Sequence, residues 1–428
     1  MPKNQDDHFS NGDYHTSQLR YIPLTYDATD CDASAKALIY ALFPDWETSE
    51  GPVEFERFKE GITNSVRLHR LEGDRLHITK PHFQLFKAVK KRPGQSQHEI
   101  DDDAIMVRAY GNGTAVLIDR EREARSHALL AKHNLAPELL ARFDNGLLYR
   151  YIHGDACTSE DLRRPEIASA TAKLLGIWHA TLPTSEAVGT PLAFEHIARH
   201  LSGKPPTNLW TVMQKWITAL PSDTKEERQR NARLETEVEY ATKLLGKTAG
   251  LNDEAYVLGH CDLLSGNVII LPNRLQCNGH STAVEVSFID YEYATPVPAA
   301  FDLANHFAEW GGFDCQYSVL PTASQRRSFI RHYVDSYHGY HQPSKPNTIE
   351  HDVAQLMAEV DAFRGMPGLY WGIWALIQAT ISQIDFDYAS YAQVRLAEYW
   401  EWKAESNGSR VKEGREMSVR EKRLAQEA

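Results

Sequence analysis

The apolar residues of this chain change their period near residue 155, and that change limits the architectures open to it. From about 53 to 152 they fall in short β-type runs, SVRLHRL, FQLFKAV, AIMVRAY, ELLARF and LLYRYI, the last two joined by the turn Asp144-Asn145-Gly146. One helical stretch, about Asp119 to Lys132, interrupts them, and the polar segment 90–103, KKRPGQSQHEIDDD, reads as a hairpin excursion between two strands. From 160 onward helical spacing dominates, as in EIASATAKLLGIWHATL and KEERQRNARLETEVEYATKLLG. The exception lies between about 256 and 293, where AYVLGH, NVIIL and VEVSFIDYEY read as short strands around loops. The expected fold is therefore α+β in two lobes, a small β-rich one over 21–152 and a larger, mainly helical one over 153–404. Residues 1–20 are polar and expected to be disordered, and 405–428 form a charged tail expected as a solvated helix or a frayed end. No fixed-period repeat is present, which argues against a solenoid.

The 428 residues suffice for two or three lobes at about 150 residues each, every one able to bury a core. Lys and Arg number 46 against 58 Asp and Glu, and a net charge of −12 opposes broad electrostatic capture of nucleic acid or anionic lipid. The longest apolar stretch, around Tyr370 to Ile381, is far short of the roughly 20 residues that cross a bilayer, and MPKNQDDHFSNGD lacks the apolar segment of a signal peptide. Cysteines at 31, 157, 261, 277 and 315 form no C-x-x-C pair and fit a reducing compartment, so a cytoplasmic location is expected.

The chemistry concentrates in GHCDLLSGNVII, residues 259–270, and FIDYEYA, residues 288–294. His260, Asp262 and Asn267 fit H-x-D-x-x-x-x-N, and Asp290 follows after a strand-like run, an order that matches the catalytic loop and metal-binding Asp of kinases. Phosphoryl transfer needs a carboxylate to orient the acceptor hydroxyl and hard oxygen ligands to hold Mg²⁺ against a triphosphate. Asp262 is the candidate for the first task, Asn267 and Asp290 for the second; the alternative is a buried loop whose Asp and Asn cap turns. His260 is read as a loop support, and Glu292 is placed with it. In the β-rich lobe Gly61, Ile62, Thr63, Asn64 and Ser65 lie at a turn whose backbone N–H groups suit phosphates, with a plain hairpin turn as the rival reading. Arg108 occupies the place of a phosphate-binding lysine and suits bidentate contact, with Glu123 as its partner or else part of a solvated helix face. Tyr149, Tyr151 and Ile152 end the last strand, where an interlobe hinge facing adenine is expected. A protein kinase is disfavoured, because the chain after Asp290 has no room for a long activation loop, carries no A-P-E, and has Cys261 rather than Arg before Asp262. The acceptor is expected to be a small molecule.

At EGITN, VRAYGNGTAVLIDREREARSHALL, APELLARFDNGLLYRYIHG, GHCDLLSGN, FIDYEYATPVPAAFDLANHFAEW and LYWGIWALIQATISQIDFDYASYA the chain resembles the choline/ethanolamine kinase family, from about Glu60 to Tyr399. The resemblance implies an aminoglycoside phosphotransferase/choline kinase-like fold, with ATP as co-substrate and Mg²⁺ as cofactor. It also implies an amine pocket lined by Glu309, Trp310, Trp371, Trp374 and Tyr391, with Asp302 fixing the metal loop. The residue types suit a small amino alcohol, which carries a hydroxyl at one end and a cation at the other. Trp371 and Trp374, three apart on one predicted helix face, equally fit an aromatic stripe that only packs helices. A primary ammonium wants carboxylates or carbonyls whereas a trimethylated one wants an aromatic cage, and the runs SQIDFDYASYA and EWGGFDCQYSVLP resemble ethanolamine kinases more. Asp385 and Asp387 add carboxylates there or else face solvent. The expected activity is transfer of the γ-phosphoryl of Mg-ATP to ethanolamine, the first step of the nucleotide-activated route to phosphatidylethanolamine. A choline or dual-specificity kinase is the alternative, and a catalytically silent nucleotide- or amine-binding regulator is the rival of another class. A homodimer stays open. Cys261 departs from the family, which often has Asn there, and this bears on the fine geometry of the loop.

Overall fold

The computed structural model describes residues 19–57, 84–111, 114–182, 184, 207–272, 283–341, 348–382 and 384–427. The first lobe holds β1 (Arg20–Ile22), α1 (Cys31–Leu42), α2 (Asp45–Thr48), β2 (Val53–Arg57), β3 (Gln84–Lys90), α3 (Gln97–Asp102), β4 (Ile105–Ala109), α4 (Arg120–Lys132), β5 (Leu139–Phe143) and β6 (Gly146–Arg150). Its six strands form one sheet in the order β1-β5-β6-β4-β3-β2, antiparallel except where β1 runs alongside β5. Alternation along β4 assigns the faces. Ile105, Val107 and Ala109 join Phe86, Ala88 and Leu148 in a core closed by Leu38 and Ile39 of α1 and by Trp46. Met106 and Arg108 therefore face the other way, and Arg108 reaches the second lobe.

The excursion between β3 and β4 is not a bare hairpin. Ser96 and Glu99 make a reciprocal capping box that starts α3, and Asp101 on that helix ion-pairs with buried Lys87 at 2.5 Å, pinning the excursion to the sheet. The Ser-x-x-Glu pattern was present in QSQHEIDDD and is worth more than the polarity of the segment.

The second lobe contains β7 (Asp155–Ala156), α5 (Pro165–Thr181), α6 (Leu209–Thr218), α7 (Lys225–Leu245), β8 (Val257–Gly259), β9 (Val268–Ile270), β10 (Val286–Phe288), β11 (Thr295–Val297) and α8 (Ala299–Glu309). It closes with α9 (Ala323–Tyr340), α10 (Ile349–Phe363), α11 (Met366–Ile381), α12 (Tyr388–Ser406), α13 (Ser409–Lys412) and α14 (Val419–Leu424). Two small antiparallel pairs, β9–β10 and β8–β11, bracket the loop 260–267. Helices α11 and α12 pack backbone to backbone: a Cβ on Gly368 would lie 2.5 Å from the carbonyl oxygen of Arg395.

The end of the chain, expected to be solvated or frayed, is docked. Arg420, Glu421 and Leu424 are buried; Glu421 accepts from Arg364 at 2.7 Å, Arg326 donates to the Leu424 carbonyl at 2.9 Å, and the Gln426 carbonyl accepts from the Ala323 amide at 2.7 Å. Charges that look solvated in sequence are here satisfied by Arg364, just past α10, on Glu421, by the Glu421–Arg420 pair, and by arginine bonds to backbone carbonyls, so few apolar residues are enough to hold the segment.

Candidate active site

Asp302, in the first turn of α8, organises the loop that carries Asp262. Its carboxylate accepts from the His260 amide at 2.9 Å and from the Cys261 amide at 2.7 Å, and meets His179 Nε2 at 3.0 Å. With the Nε2 proton directed at Asp302, His179 Nδ1 accepts from the Tyr333 hydroxyl at 2.8 Å. Burial pushes the Asp302 carboxyl up, but the bonds from His179 and the Cys261 amide and the proximity of His260 outweigh it, and it lies below the usual aspartate range. Cys261, held at φ 63°, gives the kink that turns Asp262 out of β8. Every third or fourth residue of α8 serves this loop: after Asp302, Asn305 donates to the Cys261 carbonyl at 2.9 Å and His306 Nδ1 meets the Leu263 carbonyl at 2.8 Å.

Asn267 closes the loop on itself. Its Nδ2 donates to the Asp262 carbonyl at 2.7 Å and lies 3.3 Å from the Asp262 carboxylate. The register of β9 with β10 sets Val268 opposite Phe288, the Ile289 amide donates to the Asn267 carbonyl at 3.0 Å, and His260 Nε2 donates to the Ile289 carbonyl at 3.0 Å. Asp262, Asn267 and Asp290 are thus brought together by backbone bonds, and His260 is a support of the loop. Asp290 itself is at φ 67°, with its side chain 30% exposed, while Asp262 and Asn267 are buried. Burial, and then the charges of Asp290, Glu309 and Glu292, push the Asp262 carboxyl well above the usual range.

Across the cleft, Arg108 gathers carboxylates from both lobes. It donates to Asp290 at 2.7 Å and to Glu292, and its Nε lies 3.4 Å from Glu123 on α4. Arg120 joins them, 2.9 Å from Glu123 and 3.5 Å from Glu292, with its guanidinium 4.0 Å from the Tyr110 ring centroid. Burial and the nearby Asp290 raise the Glu292 carboxyl, against the opposing pull of Arg108 and Arg120. Glu123 is buried in this cluster and so does not belong to a solvated helix face. Arg120 was not singled out in sequence, because a charge at the start of a helix looks solvated; only its spacing of three from Glu123 pointed inward. Tyr149 pairs across to Met106, and the Tyr151 ring lies 4.5 Å from Lys87 Nζ, so a cation that sequence reading missed stands beside the end of β6. Gly61, Ile62, Thr63, Asn64 and Ser65 lie outside the described residues.

Beside the loop, α11 and α12 carry a wall of aromatic rings. Trp371 donates to Asn305 at 2.8 Å and Trp374 to the Tyr293 hydroxyl at 2.8 Å, and the two indoles meet edge to face with centroids 5.4 Å apart. The wall runs on from Trp374 through Tyr388 and Phe386 to Tyr391. Glu309 is buried at the end of α8, 3.4 Å from Arg395, whose guanidinium lies 5.8 Å from the Tyr391 ring centroid. Trp310 is not part of this surface; its indole turns to His306 and Phe307 of its own helix, one residue round from Glu309. Asp387 caps α12 through the Ser390 amide at 2.9 Å, and both Asp385 and Asp387 are exposed.

A β-rich lobe joined to a helical lobe, with an arginine on the sheet facing an Asp-Asn-Asp constellation, defines a phosphotransferase of the protein-kinase-like class. Comparison with known proteins narrows the class: the model of the choline/ethanolamine kinase family matches residues 55–400, and the chain belongs to that family. It is 30% identical over 390 residues to ethanolamine kinase 1 of Mus musculus, covering 90% of this chain and 92% of that protein. Among solved structures, it is similar to an ethanolamine kinase of Plasmodium vivax, with TM-score 0.62 and 22% identity over 87% of this chain and 89% of the other. It also resembles a choline kinase of Cryptosporidium parvum, with TM-score 0.58 and 20% identity over 90% and 97%. These two likenesses concern the fold.

Proposed function

We propose that the protein transfers the γ-phosphoryl group of ATP to the hydroxyl of ethanolamine, giving phosphoethanolamine and ADP. The observation that carries this reading is the loop 260–267, pinned by Asp302 with Asp262 beside Asn267 and Asp290, next to a carboxylate and an indole pair suited to a small ammonium. Asp262 aligns the acceptor hydroxyl and takes its proton as the oxygen attacks phosphorus and the bond to ADP breaks. An elevated affinity of Asp262 for a proton suits that task. Arg108 positions phosphate oxygens, as its place on the cleft face of β4 allows.

The donor set fits Mg²⁺. Asn267 commits its Nδ2 to the Asp262 carbonyl, so Oδ1 is the atom it offers a cation, and Asp290 adds a partly exposed carboxylate; both are hard oxygen ligands. Bound there with phosphate oxygens, Mg²⁺ supplies charge neutralisation on the triphosphate. Among the described residues no helix is long and apolar enough to cross a membrane, and the four described cysteines are free thiols; we place the reaction in the cytoplasm.

Ethanolamine is preferred because Glu309 offers a carboxylate that a primary ammonium can reach with its own N–H donors. Choline is the second reading, favoured by the aromatic wall. The test is ADP release with ethanolamine, its mono- and dimethylated forms and choline, run beside Asp262→Asn. The expected order of kcat/KM falls with each methyl group, and Asp262→Asn loses turnover. Equal or higher kcat/KM for choline would overturn the substrate assignment, and Mg-ATP binding without ADP release for any amino alcohol would point to a regulator.

A further inference from the structure

Behind the amine wall lies a buried charge cluster of which the proposed chemistry uses Glu309 alone. Arg395, four residues after Tyr391 on α12, is 1% exposed at the side chain. Its Nη2 donates to Glu309 Oε1 at 3.4 Å, and its Nε lies 3.5 Å from Glu398 Oε2 without forming a hydrogen bond. Glu398 is 3% exposed at the side chain, and Cys315 Sγ lies 3.9 Å from Arg395 Nη1. One guanidinium thus stands between two carboxylates, and two of its atoms' partners are imperfectly met. Buried groups in that condition are uncommon and call for an explanation. A carboxylate buried alone takes up a proton to escape desolvation, whereas one paired one-to-one with Arg presents no net charge. In the arrangement seen here two carboxylates face one guanidinium: burial pushes the Glu309 carboxyl up, Arg395 pulls it down, and Glu398 opposes that pull.

We propose that Arg395, shared between Glu309 and Glu398, is a positioning residue that sets the orientation and net charge of the Glu309 carboxylate receiving the substrate ammonium. This rests on the amino-alcohol reading of the site. Arg395 meets Oε1 at 3.4 Å, which leaves Oε2 for the ligand. Glu398 keeps Arg395 from neutralising Glu309 outright. The geometry assigns Arg395 and Glu398 to selectivity for a cation over a neutral alcohol of the same size, while Tyr391 and the indoles recognise shape.

The experiment compares Arg395→Gln, Arg395→Lys and Glu398→Gln with the wild type, measuring KM for ethanolamine, KM for ATP, kcat, and the competitive inhibition constant of ethylene glycol, which keeps the hydroxyl and lacks the cation. Arg395→Gln raises ethanolamine KM by about 10- to 100-fold, in line with removing one partner of a buried charged pair. ATP KM and the ethylene glycol constant stay within about threefold, because neither molecule meets Glu309 through a positive charge. Arg395→Lys, which keeps the charge but not the fork, recovers part of the loss. Glu398→Gln leaves Arg395 to Glu309 alone and also raises ethanolamine KM, by roughly three- to tenfold. If Arg395→Gln does not fold, the Lys and Glu398 variants carry the same test. Parallel weakening of ethanolamine and ethylene glycol, or unchanged ethanolamine KM, overturns the proposal. A wild type that releases no ADP with any amine overturns the substrate reading instead, and the two failures are told apart.

Discussion

Two regions of the candidate site are held by different forces. In one, Arg108 and Arg120 meet Glu123, Asp290 and Glu292, charges drawn from both lobes and partly open to solvent. In the other, ring edges and neutral hydrogen bonds within the helical lobe fix Trp371, Trp374, Tyr293 and Asn305. Ion pairs can exchange partners at little net cost, since a Mg²⁺-bound triphosphate brings the same charges that it displaces. Packed indoles cannot rearrange without opening a cavity. On the proposed function, the arginine cluster is the phosphate end, to be remade on each turnover, and the aromatic wall is the amine end, built in advance.

The strongest way to break this contrast is Asp290→Asn. It removes a metal ligand, so turnover falls by about 10²–10³-fold in ADP release. Stability should hold within about 1 kcal/mol, because three carboxylates share two arginines and losing one charge relieves repulsion. A variant that keeps near-normal turnover, or that melts far below the wild type, contradicts the assignment of Asp290 to an exchangeable cluster.

Acid separates the two ends from a shared foundation. His127 lies under the arginine cluster, with its ring against Tyr149 and Tyr291, and His306 lies under the loop 260–267; burial depresses each to about 4, only partly opposed by bonds to the Pro137 and Leu263 carbonyls. In the unfolded chain these imidazoles bind protons from pH 6.5 downward, while the folded protein resists until about pH 4. These two histidines therefore put more protons on the unfolded state across that window and lower stability as the pH drops through it, on the order of 1 kcal/mol per histidine per pH unit, while the raised carboxyls of Asp262 and Glu292 act in the opposite sense. The readout is the difference in melting temperature between wild type and His306→Gln from pH 7.5 to 4, which should shift in favour of the variant as the pH falls. A difference that does not change with pH would contradict it.

How far the sequence foretold this division depends on whether a signal is local. The nearness of Asp262, Asn267 and Asp290 was legible because their spacing is set by one loop and one hairpin, and the strands of AIMVRAY and LLYRYI because alternation is a local property. Asp302 and Glu309 were named from one helix, and so was Trp310, whose indole points to another face of it; one residue along a helix is a rotation of about 100°. Arg120 and Arg395 were missed for a common reason. A buried arginine is made tolerable by carboxylates distant in sequence, and only the folded chain shows that Arg395 has Glu309 beside it. The docked tail was misread on the same ground.

Trp374→Leu probes the amine end with a smaller effect. The loss of a ring face for the ammonium raises ethanolamine KM about tenfold and moves kcat less than threefold. Because the Tyr293 hydroxyl loses its partner and the leucine leaves unfilled space, stability drops by roughly 2 kcal/mol, visible in urea unfolding. An unchanged KM would mean that the indole packs helices and does nothing for the ligand.

The smallest effect is expected where the two ends join, at Cys261. Its φ of 63° is one that asparagine accepts more readily than cysteine, and the strain belongs to the backbone turn, with Asp302 and Asn305 holding the amide and carbonyl on either side. Cys261→Asn trades that strain against fitting a larger polar group where a buried thiol now sits, and the Thr295 amide that meets the sulfur can donate to a carboxamide oxygen. The gain should narrowly exceed the cost, about 0.5 kcal/mol in favour of the variant. Turnover should stay within about twofold, because the contacts that aim Asp262 are made by backbone atoms. A loss above about 1 kcal/mol would mean that packing around the thiol, rather than the left-handed turn, decides this position.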